Sequence, residues 1–199
     1  MNAKPPVVGI LDYGVGNIFS LQQTLLSLGY AVIIGRTERQ LQKASTVFLP
    51  GVGAFHYAMK NLKKSGMDCF LKKEFASNSR RYIGICLGMQ LLFDSSEEGM
   101  VKGLGIIPGK IKVIPKNICH VGWSVVDTPF VASIRPMEKA FYFNHTYYAK
   151  CSSKYIQGSC NLGNKNIPSI IHSREFFGFQ FHPEKSQSVG KKLLQELII

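Results

Sequence analysis

The most constraining stretch of this chain is Tyr82-Ile83-Gly84-Ile85-Cys86-Leu87-Gly88-Met89-Gln90. An apolar strand pattern runs directly into Gly-x-Cys-x-Gly and then into a helical pattern, the form of a nucleophile elbow. Such a turn is so tight that the residues two before and two after the nucleophile must be small, and Gly84 and Gly88 meet that need. Cys86 then stands at the carboxyl end of a strand and the amino end of a helix, where the helix dipole favours thiolate over thiol. The amide N–H of Leu87 points at any oxyanion formed on a bound substrate. A buried cysteine in a glycine-flanked turn fits the same pattern, so the rest of the chain must decide.

The N-terminal half alternates strand and helix signals. Residues 7–11 form a short apolar run, as in a strand buried on both faces. Ile18, Leu21, Leu25 and Leu28 recur at helical spacing, and Gly29 supplies the stop. Residues 31–34 read as a second strand. Thr37 with Gln40 resembles a capping box opening a short helix towards Ala44. Residues 46–49 form a third strand, 55–64 and 67–78 two helices, 82–85 a fourth strand, and 87–94 the helix after the elbow. This alternation implies right-handed crossovers and a mainly parallel, helix-covered sheet, an α/β fold. After Asp94 the texture changes to strand-like runs at 110–114, 123–126, 140–149, 154–160 and 169–181, expected as antiparallel additions to the same sheet or a small flanking one. A last helix spans 188–197. With no repeat, low-complexity segment or linker, residues 1–199 read as one domain.

Composition narrows the function classes. The 199 residues are 45% hydrophobic and 18% charged, a globular profile. No apolar run approaches the roughly 20 residues of a membrane span. The N-terminal apolar run is too short for a signal-peptide core, so a cytoplasmic location is expected. Five cysteines, Cys69, Cys86, Cys119, Cys151 and Cys160, show no C-x-x-C pair and read as thiols rather than disulfides or a zinc site. The formal charge of +12 raises the prospect of a nucleic-acid surface. Lys60, Lys63, Lys64, Lys72, Lys73, Arg80 and Arg81 lie near one another in sequence. Lys110, Lys112, Lys116, Lys191 and Lys192 are far from them. No recognition helix, zinc finger or RNA-binding aromatic motif accompanies them, which favours scattered surface lysines and no nucleic-acid partner.

A nucleophilic thiol needs a base. Of the five histidines, His182 stands out in Phe179-Gln180-Phe181-His182-Pro183-Glu184. In extended geometry His182 and Glu184 face the same side, so Glu184 can hold the imidazole in one tautomer and stabilise its charged form. A strand-end histidine beside an unrelated glutamate is the alternative, and pairing with Cys86 argues against it. The order Cys…His…Glu on an α/β sheet points to acyl transfer. A third segment, Pro50-Gly51-Val52-Gly53-Ala54-Phe55, ends a strand at the same sheet edge, and the Val52 amide is a candidate second oxyanion donor.

These three segments together resemble the class I, triad-type glutamine amidotransferases, a flavodoxin-like fold. Further stretches carry the resemblance along nearly the whole chain: Asp12-Tyr13-Gly14-Val15-Gly16-Asn17, Cys86 to Phe93, Glu97-Glu98-Gly99, Tyr142 to Tyr148, and His182 to Gln187. They are most similar to the branch whose glutaminase subunits feed ammonia to a (β/α)8-barrel synthase (cyclase) subunit in histidine biosynthesis. The resemblance implies hydrolysis of glutamine by Cys86, His182 and Glu184, with Val52 and Leu87 as oxyanion donors. It implies a glutamine pocket of Gly53, Gln90, Glu98, Thr146 and Tyr147. Asn17, Trp123, Tyr142 and Lys185 would lie at the partner interface and ammonia passage of a heterodimer. No cofactor and no metal are implied. Tyr142 and Trp123 also fit as core aromatics, and Lys185 as a solvated charge.

One departure stands out. His120-Val121-Gly122-Trp123-Ser124 is similar to the family's His-x-Gly-Trp-Asn, with Ser124 in place of Asn. Serine lacks the paired donor and acceptor of an amide. With the basic charge, this leaves open a paralogous glutaminase that supplies a sugar-amidinating enzyme of surface-polysaccharide synthesis. A general cysteine hydrolase fits the triad but not the glutamine-pocket and interface segments.

Overall fold

The computed structural model describes residues 5–114 and 120–198; Cys119 and Lys116 lie outside them. The first elements are β1 (Val7–Leu11), α1 (Ile18–Ser27), β2 (Ala31–Gly35), α2 (Glu38–Leu41), β3 (Thr46–Leu49), α3 (Phe55–Ser65), α4 (Met67–Ser77), β4 (Arg81–Ile85) and α5 (Leu87–Gln90). Then come β5 (Phe93–Ser96), β6 (Val101–Lys102), β7 (Ile107–Val113), β8 (His120–Val125), β9 (Ala140–His145), β10 (Tyr147–Cys151), β11 (Ile156–Leu162), β12 (Lys165–Ser173), β13 (Phe176–Phe179) and α6 (Gln187–Leu197).

The main sheet has seven strands in the order β11-β12-β13-β4-β3-β1-β2. From β2 to β13 all neighbours are parallel. β12 and β11 extend the edge antiparallel. The period-two alternation of a strand sorts its side chains onto two faces. Val8, Ile10, Phe48, Ile83 and Ile85 pack with Leu21 and Leu25 of α1 and Leu193 and Leu194 of α6. Leu11, Val47, Leu49 and Tyr82 pack on the opposite face with Leu41, Met59, Leu62 and Leu71 from α2, α3 and α4. This is the helix-covered, mainly parallel sheet that the strand–helix alternation implies. A smaller sheet, β10-β7-β5-β6, and a two-stranded ribbon, β8-β9, stand beside it.

The structure departs from the sequence pattern in three places, each by tertiary pairing. The helix expected over 87–94 stops at Gln90. The carbonyls of Leu91 and Leu92 instead accept from Leu104, Ile106 and Ile107, and Phe93 opens β5 against β7. The run at 140–149 is two strands, β9 in the ribbon and β10 in the small sheet, divided at Thr146. The run at 169–181 contains a reversal at Arg174, whose φ of 55° marks the turn, so β13 returns parallel to β4 rather than antiparallel. Lys60, Lys63, Lys64, Lys72 and Lys73 lie exposed on α3 and α4, a solvated face.

Candidate active site

Cys86 follows β4 with φ 53° and ψ −107°, a backbone conformation that a side-chain-bearing residue adopts only under strain. Its neighbours explain the glycines. A Cβ on Gly88 would lie 1.9 Å from the Leu49 carbonyl oxygen, and one on Gly51 would lie 2.5 Å from the Gly88 nitrogen. The elbow and the root of the Pro50–Gly53 loop are thus in backbone contact. Cys86 is 7% exposed. Its sulfur receives the Gln180 side-chain amide at 3.8 Å, and its S–H reaches the Asn144 carbonyl at 3.9 Å. Because α5 is barely one turn long, its dipole offers the thiol little, contrary to the sequence expectation.

The positive partner is His182. Its ring lies within interaction range of Cys86. Its Nδ1 lies 2.8 Å from Glu184 Oε1, with both side chains buried at 2% and 3% exposure. Burial pulls the imidazole pKa down, but the hydrogen bonds and charges of Cys86 and Glu184 outweigh it and raise it to about 9. The two residues meet through a 3-10 turn at Pro183–Lys185, not through the extended geometry expected from the sequence. The backbone is held as well. The His182 amide donates to Tyr142 O at 2.9 Å, and the Ser186 hydroxyl donates to His182 O at 2.6 Å. Among the described residues, Glu184 Oε2 is buried with no hydrogen-bond partner.

In front of Cys86 lies a cavity of about 160 Å³, suited to a ligand of amino-acid size. Val52 and Gly53 border it from one loop, and Cys86, Leu87 and Gln90 from the elbow. Glu98, Thr146 and Tyr147 complete it. Gln90 is fixed by donating from Nε2 to Tyr147 O and Gln180 Oε1, both at 3.1 Å. Glu98 accepts the Phe55 amide at 3.1 Å, at the start of α3. All the residues expected to hold glutamine or its oxyanion therefore line one cavity, while His182 and Glu184 lie outside its lining.

The residues expected at a partner surface divide. Trp123 packs edge-on to Tyr142, with ring centroids 6.0 Å apart, and the Lys185 ammonium sits 5.9 Å from the Tyr142 ring. Val121, Trp123 and Val125 project from one face of β8, each at least 41% exposed. Asn17 instead caps α1, accepting the Ser20 amide at 3.2 Å. Ser124 faces the other way, its hydroxyl 2.9 Å from His120 Nε2. Its serine side chain therefore bears on the interior of the ribbon and not on the exposed stripe.

Sequence reasoning missed three residues at the cavity and the thiol. Asn144 and His145 line the cavity, and Gln180 touches the sulfur. Gln180 carried a readable signal: a polar residue between Phe179 and Phe181, all three fully buried. Among the described residues no cluster of three or more potential metal ligands occurs, and no helix is long and apolar enough to cross a membrane.

The strained cysteine elbow and its buried His–Glu pair on a doubly wound sheet define an acyl-transfer site of the amidotransferase type. The class I glutamine amidotransferase family model matches residues 9–199, and the chain belongs to that family. Among curated relatives, the imidazole glycerol phosphate synthase subunit HisH of Exiguobacterium sibiricum is 40% identical over 193 residues, covering 96% of this chain and 93% of that protein. The HisH subunit of Carboxydothermus hydrogenoformans is also 40% identical, covering 94% and 96%. That of Prochlorococcus marinus is 38% identical, covering 94% and 95%. A crystal structure of a glutamine amidotransferase superposes with a TM-score of 0.75 at 16% identity, covering 96% of each chain. PurLQS from Thermotoga maritima gives 0.70 at 17%, covering 98% of each. At these identities the two structures speak for the fold.

Proposed function

We propose that this chain is the glutaminase subunit of an imidazole glycerol phosphate synthase, hydrolysing glutamine to glutamate and ammonia in the cytoplasm. The carrying observation is a single small cavity bordered by the Cys86 thiol, the Glu98 carboxylate and the Gln90 amide. Cys86 gives its thiol proton to His182, and its sulfur attacks the glutamine carboxamide carbon. The carbonyl oxygen becomes an oxyanion received by the Leu87 and Val52 amides. His182 gives its proton to the departing nitrogen, ammonia leaves, and a γ-glutamyl thioester remains on Cys86. His182, now neutral, takes a proton from water. The hydroxide adds to the thioester, and the tetrahedral adduct releases glutamate by expelling the Cys86 sulfur, which takes the proton back from His182. Glu184 holds the imidazole throughout. Glu98 pairs with the substrate ammonium, and Gly53, Gln90, Thr146 and Tyr147 position its backbone.

The likeness to synthase subunits supports a partner chain, which we read as a (β/α)8-barrel synthase (cyclase) subunit in a heterodimer. The exposed Val121, Trp123 and Val125 stripe, with Tyr142 and Lys185 beside it, supplies an apolar docking face next to the cavity. Asn17 belongs to its margin. Residues 1–199 work as one domain. The sugar-amidinating alternative is not favoured by these relatives, and the inward-facing Ser124 removes one of its supports.

Glutamate release tests the reading. The chain is assayed alone, with the barrel subunit, and with that subunit and its ribonucleotide substrate. Strong stimulation in the complete mixture, abolished by Cys86→Ala, is the expected result. Unchanged turnover by Cys86→Ala overturns the mechanism.

A further inference from the structure

From the cavity wall inward runs a hydrogen-bonded chain that the reaction itself does not use. His145 Nδ1 lies 2.8 Å from Tyr147 O, His145 Nε2 lies 2.8 Å from His120 Nδ1, and His120 Nε2 lies 2.9 Å from Ser124 Oγ. A carbonyl only accepts, so His145 Nδ1 carries a proton. With both rings neutral, His145 Nε2 is bare and accepts from His120 Nδ1–H. His120 Nε2 is then bare and accepts from the Ser124 hydroxyl. Every proton in the chain is thereby assigned.

Neutrality follows from the setting. His120 and His145 are 3% and 7% exposed, and His120 stacks on Phe143 with centroids 4.1 Å apart. Burial pulls both pKa values far down, to about 4 and about 3, and the charge of His182 pushes His145 the same way. A charged His145 would oppose the imidazolium of His182.

The chain also has a defined load. It ties β8 to the 144–147 segment, which lines the cavity through Asn144, His145, Thr146 and Tyr147. Tyr147 O, which accepts from His145, accepts the Gln90 amide as well, and Asn144 O meets the Cys86 thiol. We propose that Ser124, His120 and His145 are positioning residues for glutamine, a neutral chain locked in one tautomeric order that sets the cavity wall. This rests on the reading of the cavity as a glutamine site. The substitution at Ser124 is therefore felt by substrate binding and not by partner recognition.

Two measurements test it on the complete complex with its barrel partner. Ser124→Ala removes the terminal donor and leaves His120 Nε2 bare. The KM for glutamine is expected to rise about five-fold with kcat nearly constant, the loss of roughly one part-buried hydrogen bond. Ser124→Thr, which keeps the hydroxyl, restores it. An unchanged KM, or a fall in partner affinity instead, overturns the proposal. Imidazole nitrogen-15 shifts, read on the unmutated complex, are expected to show the Nδ1–H tautomer for both rings, neutral at pH 6. An Nε2–H tautomer or a charged ring overturns the proposal and leaves the glutaminase reading standing. Absence of any glutamine turnover by the unmutated complex would instead sink that reading, with the tautomers still measurable.

Discussion

Replacing Glu184 by Gln probes the catalytic pair with little change of shape. His182 rises from 6.5 to about 9 in the folded protein, which favours its imidazolium by about 3 kcal/mol. Burial acts against that rise, so Cys86 and Glu184 together contribute more than the net figure. Removing the carboxylate charge should bring His182 below about 8. A folded-state value above the unfolded one means that the contribution is complete below pH 6.5 and is lost as pH rises through about 9. The stability gap between wild type and Glu184→Gln is therefore largest near pH 6.5. It should narrow by about 1–2 kcal/mol on going to pH 9. A second, pH-independent loss is expected too. The glutamine amide would place an N–H where Glu184 Oε2 now has no partner, so that donor is buried unpaired. Urea unfolding at a series of pH values measures the gap, and an NMR titration of His182 measures its cause. A gap that is constant or widens with pH, or a His182 titration unmoved by the substitution, would refute the reasoning.

Three further substitutions follow from the packing. Gly88→Ala drives a Cβ into the Leu49 carbonyl, where no side chain can move aside, and should cost more than about 3 kcal/mol in denaturant unfolding. Glu74→Ala strips a largely buried carboxylate from Arg80 at 2.9 Å and from the Tyr82 hydroxyl at 2.7 Å. Arg80 keeps the Leu41 carbonyl, so the loss in the same assay should be about 3 kcal/mol, the low end for a broken buried pair. Trp123→Ala removes the largest exposed apolar side chain of the ribbon. It should weaken partner binding by about 2 kcal/mol in calorimetry while leaving the melting temperature of the isolated chain nearly unchanged.

The elbow was legible because Gly84, Cys86 and Gly88 answer a steric demand local to five residues. That Cys86, His182 and Glu184 would come together was expected because few residue types suit acyl-transfer chemistry, although they lie on distant parts of the chain. The main sheet followed from short apolar runs alternating with helical spacing. What escaped is set by partners that periodicity cannot see. Leu91 to Asp94 continue a helical pattern, yet the Leu91 and Leu92 carbonyls pair with residues more than ten positions on. Residues 140–149 read as one strand because nothing local marks Thr146 as the point where the chain changes sheets. Ser124 was read at a partner surface and His145 went unremarked, since the link between them is made by His120 across two strands.

The central claim is that Cys86 carries the acyl group, and the thioester tests it most directly. The complex with the barrel subunit is mixed with glutamine, quenched in acid during turnover, and digested for mass spectrometry. A glutamyl group on the peptide containing Cys86, absent from Cys86→Ala along with glutamate release, is the predicted result. Glutamate formed at the wild-type rate by Cys86→Ala, with no acyl adduct on the wild-type cysteine, would contradict the account.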